Sequence, residues 1–495
     1  MSGVVPISWA DYSKCDATDL ARLVANGEVS AKELATQAAM AVELINPDIN
    51  GVIEVFLDTL ADPYKDGMNA QGPFHGVPMM IKDLGSRMKG RQQEAGYAWM
   101  DQHIAEEDDC LIKNFRTAGF NLIGRTTTPE DGMAAVTETI KFGITRNPWN
   151  LNHSSGGSSG GSAASVASGI LPVCSASDGG GSIRLPASWN GLIGLKNTRG
   201  RLPMPTGVHE ASLPSAVEGV VTRSVRDTAA IHDAICHKPL GTGFMPYPNT
   251  QPLLSELTTS TRKFRVALST GNWSRNDVIP AELIQRTNQV ASWLEDNGHS
   301  VELVDDHTIC DFETLFEAYK VGNWIAPLSN VIPQMADAFG VTLTPENTSY
   351  QTLQMIKLGK GTTYADFAIA MDKNVLITRQ WGQFWERGFD LLLTPTMADL
   401  CPPVNSEKYA LASPLSFEQF FDHAMDLCRY VMPANETGLP AISLPAGLDS
   451  NGCPMGVQFY APWNHEHDLI HIAGQMELAM PHRFNCLAPL NVGRL

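Results

Sequence analysis

The run GGSSGGSAASVASGILPVCSASDGGGSIRLPA, residues 156–187, is the part of the chain on which its fold turns. Its glycine and serine content is that of a flexible linker. Four features argue otherwise. SAASVA (162–167) has the small-residue composition of a closely packed helix, Gly169 can stop it, and LPVCSAS from Leu171 has the apolar character of a strand. Asp178 and Arg184 then place opposite charges around a three-glycine turn. A linker requires none of this, so the segment is expected to thread through folded structure.

Working outward, GVPMMIKDL (76–84) and FNLIGRT (120–126) are short apolar runs of the kind that form buried strands, with a helix expected between them over about 109–117. Lys82 then sits at a strand exit. Ser30 and Glu33 have the spacing of a capping box, followed by Leu34, Ala38, Ala41, Val42 and Ile45 on one face, with Asn46-Pro47 expected to end the helix. FRVALST (264–270), a helix over about 280–297 and HSVELVDD (299–306) suggest a βαβ unit. Residues 310–385 are mostly helical in pattern. FDLLLTPT (389–396), PAISLPAGL (440–448) and MGVQFYAP (455–462) return to strand before a last helix over about 467–479. Alternating helices and strands predict an α/β fold.

The bulk composition narrows function. The chain has 495 residues, 43% hydrophobic and 18% charged, enough for a sizeable core. A net charge of −18, without Lys/Arg clusters, argues against nucleic acid and anionic membranes and favours a small-molecule partner. No apolar run is long enough to span a bilayer, and Asp11, Asp16 and Asp19 interrupt what would be a signal peptide. Nine scattered cysteines without a CxxC pair fit reduced thiols. A cytoplasmic protein is the resulting expectation.

Several short motifs compete for the chemistry. GGSSG (156–160) matches the G-x-S-x-G elbow that would make Ser158 a nucleophile, but that elbow needs a buried strand directly before it, and TRNPWNLNHSS (145–155) has the composition of a loop. SRMK (86–89) matches S-x-x-K without its companion motifs. HEHD (465–468) holds two histidines only two apart, expected on different helix faces and thus a solvated helix start, not a metal site. No phosphate-binding glycine loop is present.

The order of residue types over 156–187 closely resembles the amidase signature family. The resemblance continues in GVPMMIKD (76–83), GLIGLKNTRGRLP (191–203), VTRSVRDTA (221–229), PANETGLPAISLPAG (433–447) and PMGVQFYAP (454–462), nearly the whole chain. RNPWNL (146–151) and FDLLLTPT point to the branch of the 6-aminohexanoate-cyclic-dimer hydrolases. The resemblance implies a single amidase signature domain over 1–495, with a catalytic core at about 70–230 and a variable helical pocket region at about 310–385. Its fold would be a mixed, twisted central sheet flanked by helices on both faces.

Carried over position by position, the resemblance makes Lys82 the catalytic base, Ser158 the bridging serine after a cis peptide at Gly157, and Ser182 the nucleophile. Ser182 follows Ser158 by 24 residues and Lys82 by 100, intervals within the family's range. Gly179, Gly180 and Gly181 would supply the oxyanion hole; Gly179 stands where isoleucine or alanine is common. Ser159, Asp178 and Arg184 would brace the loop. This set makes chemical sense, because a lysine can activate a serine only as the neutral amine, and burial favours that form. The activity implied is hydrolysis of amides, with aryl esters, anilides and carbamates (urethanes) as neighbours, and no metal or organic cofactor. The alternatives are a glutamine-dependent amidotransferase subunit working with partner chains, and an inactive scaffold, which the intact Lys82, Ser158 and Ser182 oppose. Pocket candidates are Met133 and Val136 in TPEDGMAAVTE (128–138), Leu213 in MPTGVHEASLPSA (204–216), and Phe316, Tyr319, Trp324 and Ile325 in the helical region. Apolar side chains at helical spacing are more often core than pocket. Oligomeric state, a homodimer included, is left open.

Overall fold

Strands that are apolar at every position need cover on both faces, and the chain meets that need with one large sheet between helical layers. The structure, a computed structural model, describes residues 5–101, 103–205, 215–238, 251–258 and 262–494. The sheet has 11 strands: β1 (Val52–Val55), β2 (Pro78–Lys82), β3 (Asn121–Thr126), β4 (Val173–Asp178), β5 (Ile193–Lys196), β6 (Val217–Thr222), β7 (Arg265–Leu268), β8 (Ser300–Leu303), β9 (Leu391–Pro395), β10 (Ala441–Leu448) and β11 (Pro454–Tyr460). Their order across the sheet is β1-β3-β2-β4-β6-β5-β10-β11-β9-β7-β8. The sheet is mixed: β2 runs parallel to β3 and β4, β7 runs parallel to β8 and β9, and the central pairings are antiparallel. The apolar runs read as strands all join it, including the βαβ unit of β7, helix Ala281–Asp296 and β8.

Alternation along β9 separates two of the three apolar clusters of the described residues. Leu391 and Leu393 of β9 pack with Leu294 and Ile472 on one face, whereas Leu392 points to the opposite face with Tyr460, Trp273 and Trp381. That opposite face is roofed by the helical region, in which helices Phe312–Tyr319 and Ala326–Ala338 are joined through a π-helical turn, Lys320–Ile325. Among the described residues no helix is long and apolar enough to cross a membrane.

One boundary differs from the sequence reading. The capping box forms, with the Glu33 N–H donating to Ser30 Oγ at 3.2 Å and the Ser30 N–H to Glu33 Oε2 at 2.8 Å. The helix nevertheless runs through Pro47 to Ile49. Proline's fixed φ is itself helical, and its main cost is a lost hydrogen bond. Here the Asn50 N–H still closes the last turn on the Asn46 carbonyl, and Asn46 Oδ1 accepts from the Gly51 and Val52 N–H groups. The stop is the left-handed Asn50, three residues later than its proline.

Candidate active site

Parallel neighbours end on the same edge of a sheet, and open α/β sheets place their sites at that carboxyl edge. β2 delivers Lys82 there, and β4 delivers Ser177, Asp178 and the glycine turn. The strand serines stitch the two together: the Lys82 backbone N–H donates to Ser175 Oγ at 2.8 Å, while Lys82 Nζ donates to Ser177 Oγ at 2.9 Å and Ser158 Oγ at 2.7 Å. Lys82 is buried and has no carboxylate within ion-pair distance among the described residues. Burial lowers its pKa to about 7, against the opposing pull of Glu218, Asp178 and Asp131.

Ser158 reaches this lysine from the segment leading into helix Gly160–Ala167. The preceding stretch is not the exposed loop its composition suggested. It holds two short paired strands, Arg146–Asn147 and Asn150–Ser154, and from Ser154 onward it is buried, because Asn147 and Asn190 side chains satisfy its backbone. The Gly157–Ser158 peptide is cis. A Cβ on Gly157 would lie 2.5 Å from the Ala134 carbonyl oxygen, so only glycine fits. Ser159 braces the neighbouring strand: its Oγ accepts from the Ser177 N–H at 3.4 Å and lies 3.3 Å from the Ser177 carbonyl.

Ser182 stands half-buried between β4 and helix Arg184–Asn190. Asp178 shapes the turn that carries it. Its carboxylate accepts the Gly181 N–H at 2.7 Å and the Ile183 N–H at 3.1 Å, and is gripped by Arg184 through Nε and Nη2, each at 3.0 Å. Arg184 also donates to the Val431 carbonyl and to the side-chain oxygens of Gln458 and Asn435, and Asn435 Nδ2 returns to Asp178 Oδ1 at 2.8 Å. Burial alone would raise the Asp178 pKa, but Arg184, Asn435 and Lys196 outweigh it and hold the carboxyl well below the ordinary range. The charged pair therefore braces the turn.

The same bonds correct the three-glycine expectation. The Gly181 N–H is committed to Asp178, and its φ of 124° faces the residue toward Val431. The Gly179 and Gly180 N–H groups donate to nothing among the described residues, and a Cβ on Gly179 would meet open space. Tyr319 closes over this pair, its Oη donating to the Gly179 carbonyl at 2.9 Å.

Of the pocket candidates, Met133, Val136, Phe316, Tyr319 and Ile325 are buried in one apolar cluster, Trp324 packs half-buried against it, and Leu213 lies outside the described residues. Met133 and Val136 are thus core in their environment, whereas Tyr319 also reaches the glycine turn. Sequence reasoning missed Ser177, Glu218 and Asp131. Ser177 was legible: with Ser175 it forms an i, i+2 pair of hydroxyls on one face of an apolar strand. Glu218, the cross-strand partner of Ser177, is an acid in the apolar run of β6; burial pushes its carboxyl up to about 8 against the pull of Lys82.

The histidines of HEHD do come together. His465, His467 and Asp468 bring their ligand atoms within 4.8 Å of one another, as do Asp277, His423 and Asp426. In each group an aspartate already carries an arginine, Arg262 on Asp468 and Arg275 on Asp426 at 2.7 Å, so a guanidinium occupies the place a cation would take.

The chain belongs to the amidase family, whose model matches residues 33–470. It is an amide hydrolase of that family, acting on carbon–nitrogen bonds other than peptide bonds. It is 34% identical over 486 residues to the 6-aminohexanoate-cyclic-dimer hydrolase of Paenarthrobacter ureafaciens, covering 94% of this chain and 95% of the relative. A solved structure of a 6-aminohexanoate cyclic dimer hydrolase with substrate superposes with a TM-score of 0.89 at 32% identity, covering 97% of this chain and all of the other. One component of the Thermotoga maritima glutamyl-tRNA(Gln) amidotransferase shares the fold, with a TM-score of 0.76 at 24% identity over 97% of this chain and 98% of that one.

Proposed function

We propose that the protein cleaves amides of small hydrophobic substrates through an acyl-enzyme on Ser182, with Ser158 and Lys82 as its proton relay. The observation that carries this reading is a buried lysine, lowered to about 7 and hydrogen-bonded through Nζ to two serine hydroxyls. As the neutral amine, Lys82 accepts the Ser158 hydroxyl proton while Ser158 takes that of Ser182. The Ser182 oxygen attacks the carbonyl carbon. The resulting oxyanion is met by the N–H groups of Gly179 and Gly180, each such donor typically worth about 3–4 kcal/mol to the transition state. Ser158 then delivers the proton to the leaving nitrogen and is reprotonated by Lys82, the C–N bond breaks, and the amine departs. Water, deprotonated along the same relay, attacks the acyl carbon, and Ser182 recovers its proton as the acid leaves.

Anilides and carbamates present the same carbonyl and a nitrogen leaving group, and they extend the proposed range. The likeness to the hydrolases of a cyclic dimer supports cyclic and linear aliphatic amides at its centre. Nine free cysteines fit a reducing cytoplasm. The amidotransferase alternative has support at the level of fold alone, and it would require partner chains.

Labelling tests the assignment. A fluorophosphonate is expected to form an adduct on Ser182, located by peptide mass spectrometry, and Ser182→Ala should abolish both labelling and turnover. Ser158→Ala should retain a weak reaction, because water can substitute for a relay hydroxyl but nothing replaces the nucleophile. An adduct on Ser158, with Ser182→Ala still turning over, would overturn the assignment. Turnover of bulky amides by the purified chain would exclude the amidotransferase.

A further inference from the structure

One carboxylate beside Lys82 has no part in the relay. The turn Pro129–Met133 carries two adjacent acids with opposite fates. Glu130 is wholly buried and saturated: it accepts the Ser349 N–H at 3.1 Å, Ser349 Oγ at 2.7 Å and Thr352 Oγ1 at 2.9 Å, which pins the turn to the start of helix Tyr350–Gly359. Asp131 is held with φ 47° and ψ 22°, in the left-handed region that side chains seldom adopt and that Asp and Asn tolerate best. Its N–H is fixed on the Ala95 carbonyl at 2.8 Å. Its carboxylate receives no hydrogen bond or ion pair among the described residues and keeps partial exposure. Gly132, also left-handed at φ 71°, lies so close to the relay that a Cβ there would be 3.0 Å from Ser158 Oγ.

Three carboxylates bear on Lys82, and two are accounted for. Asp178 is neutralised by Arg184, and Glu218, raised to about 8, is mostly protonated at neutral pH. Asp131 remains; burial pushes it up to about 6 and only Lys82 pulls it down. When Lys82 works as the neutral amine, that counter-charge is gone, and a partly desolvated carboxylate without a partner is costly. Nearby, the buried Tyr97 Oη, which feels the charges of Asp131 and Glu130, is likewise without a hydrogen-bond partner among the described residues. A ligand group is the missing partner that both geometry and charge call for. Because Ser158 Oγ hands its proton to the leaving nitrogen, the turn against Ser158 faces the amine half of the substrate.

We propose that Asp131 determines leaving-group specificity by receiving a cationic nitrogen on the amine half of the substrate, so that amides whose leaving amine carries a second, protonated amine are preferred. This rests on the relay reading above. A bound ammonium would also oppose a second positive charge at Lys82 and so favour its working form.

The test compares N-(ω-aminoalkyl) amides, with two to six methylenes, against N-alkyl amides of the same acid and chain length. Asp131→Asn keeps the shape and the left-handed backbone but removes the charge, and Asp131→Gly checks the backbone separately. In both variants the ratio of kcat/KM for the best aminoalkyl amide to that for its alkyl counterpart should fall at least tenfold. A ratio within twofold of the wild type would overturn the proposal while leaving the relay intact. Binding is measured in parallel, by calorimetry of hexane-1,6-diamine on the Ser182→Ala protein with and without Asp131→Asn. The affinity should drop at least tenfold with the second substitution; an unchanged affinity would overturn the proposal. If the wild type cleaves neither amide yet the diamine affinity drops, the relay reading falls and the cation subsite stands.

Discussion

In the proposed relay, Lys82 joins catalysis to stability through one quantity, its proton affinity. A lysine lowered to about 7 by burial is part amine at neutral pH, so kcat/KM should rise with a limb near pH 7, far below that of an exposed lysine. Lys82→Arg keeps the charge but cannot deprotonate at working pH, and should lose most activity while remaining folded; near wild-type turnover by that variant would remove Lys82 from the role. The linkage has a definite sign. Between about pH 7 and the ordinary lysine value near 10, the unfolded chain binds the proton that the folded one has lost, so stability rises with pH across that window and the full penalty applies below it. Lys82→Met removes the penalty. It should be the more stable protein near pH 6 by a few kcal/mol, with the advantage shrinking toward pH 10. Denaturant titrations at the two pH values give the comparison, and a constant difference would mean that Lys82 is charged in the working fold or carries no strain there.

One buried ion pair, Asp178–Arg184, organises the glycine turn after β4, and that arrangement makes a separate prediction. Asp178→Asn would leave the Arg184 guanidinium buried with an uncompensated charge, a change that typically costs about 3–5 kcal/mol, and would slacken the turn whose N–H groups are proposed to meet the oxyanion. Since the Asp178 pKa lies below its unfolded value, its contribution is present above about pH 4 and lost as pH falls through the lower folded value. The wild type should therefore lose stability on acidification below pH 4, and the variant, weaker throughout, should lose less over the same range in calorimetric melts. At this scale the chain was largely legible. Short continuous apolar runs marked β2, β3, β4 and the last three strands, because strands buried on both faces leave a compositional trace. Lys82 in GVPMMIKD and Ser158 and Ser182 in the 156–187 run were legible as candidates through the resemblance, and the structure brings Lys82 and Ser158 within hydrogen-bond distance. What the sequence did not reveal was relational. The commitment of the Gly181 N–H to Asp178, the cross-strand placement of Glu218 against Ser177, and the left-handed Asp131 all depend on register and on segments far apart in the chain. The helix end at Asn50 was missed because proline is a weaker stop near a carboxyl terminus than a left-handed residue after it.

Across the whole molecule, the sheet fixes the chemistry and the helical roof reaches down to it. Helix Phe312–Tyr319 places Tyr319 Oη on the Gly179 carbonyl, and the π-helical turn that follows sets Trp324 alongside that hydroxyl, its ring edge-on to Phe421 at 5.4 Å. π-Helical turns frequently mark functional positions, since they re-aim side chains within an otherwise regular helix. Trp324 is only half-buried, unlike Met133, which is 3% exposed and enclosed by the core. The two residues should therefore separate. Trp324→Ala should change the ratio of kcat/KM between an anilide and a short aliphatic amide about tenfold, with a small fall in melting temperature, if the half-buried indole beside the Tyr319 hydroxyl lines the pocket as proposed, since it leaves little cavity when removed. Met133→Ala should cost about 2–5 kcal/mol of stability, as large-to-small core changes do, and slow both substrates alike. Steady-state kinetics on the two substrates with parallel melts distinguish these outcomes. If Trp324→Ala instead lowered the melting temperature as much as Met133→Ala while leaving the substrate ratio unmoved, the roof would be packing alone and selectivity would have to come from the sheet edge.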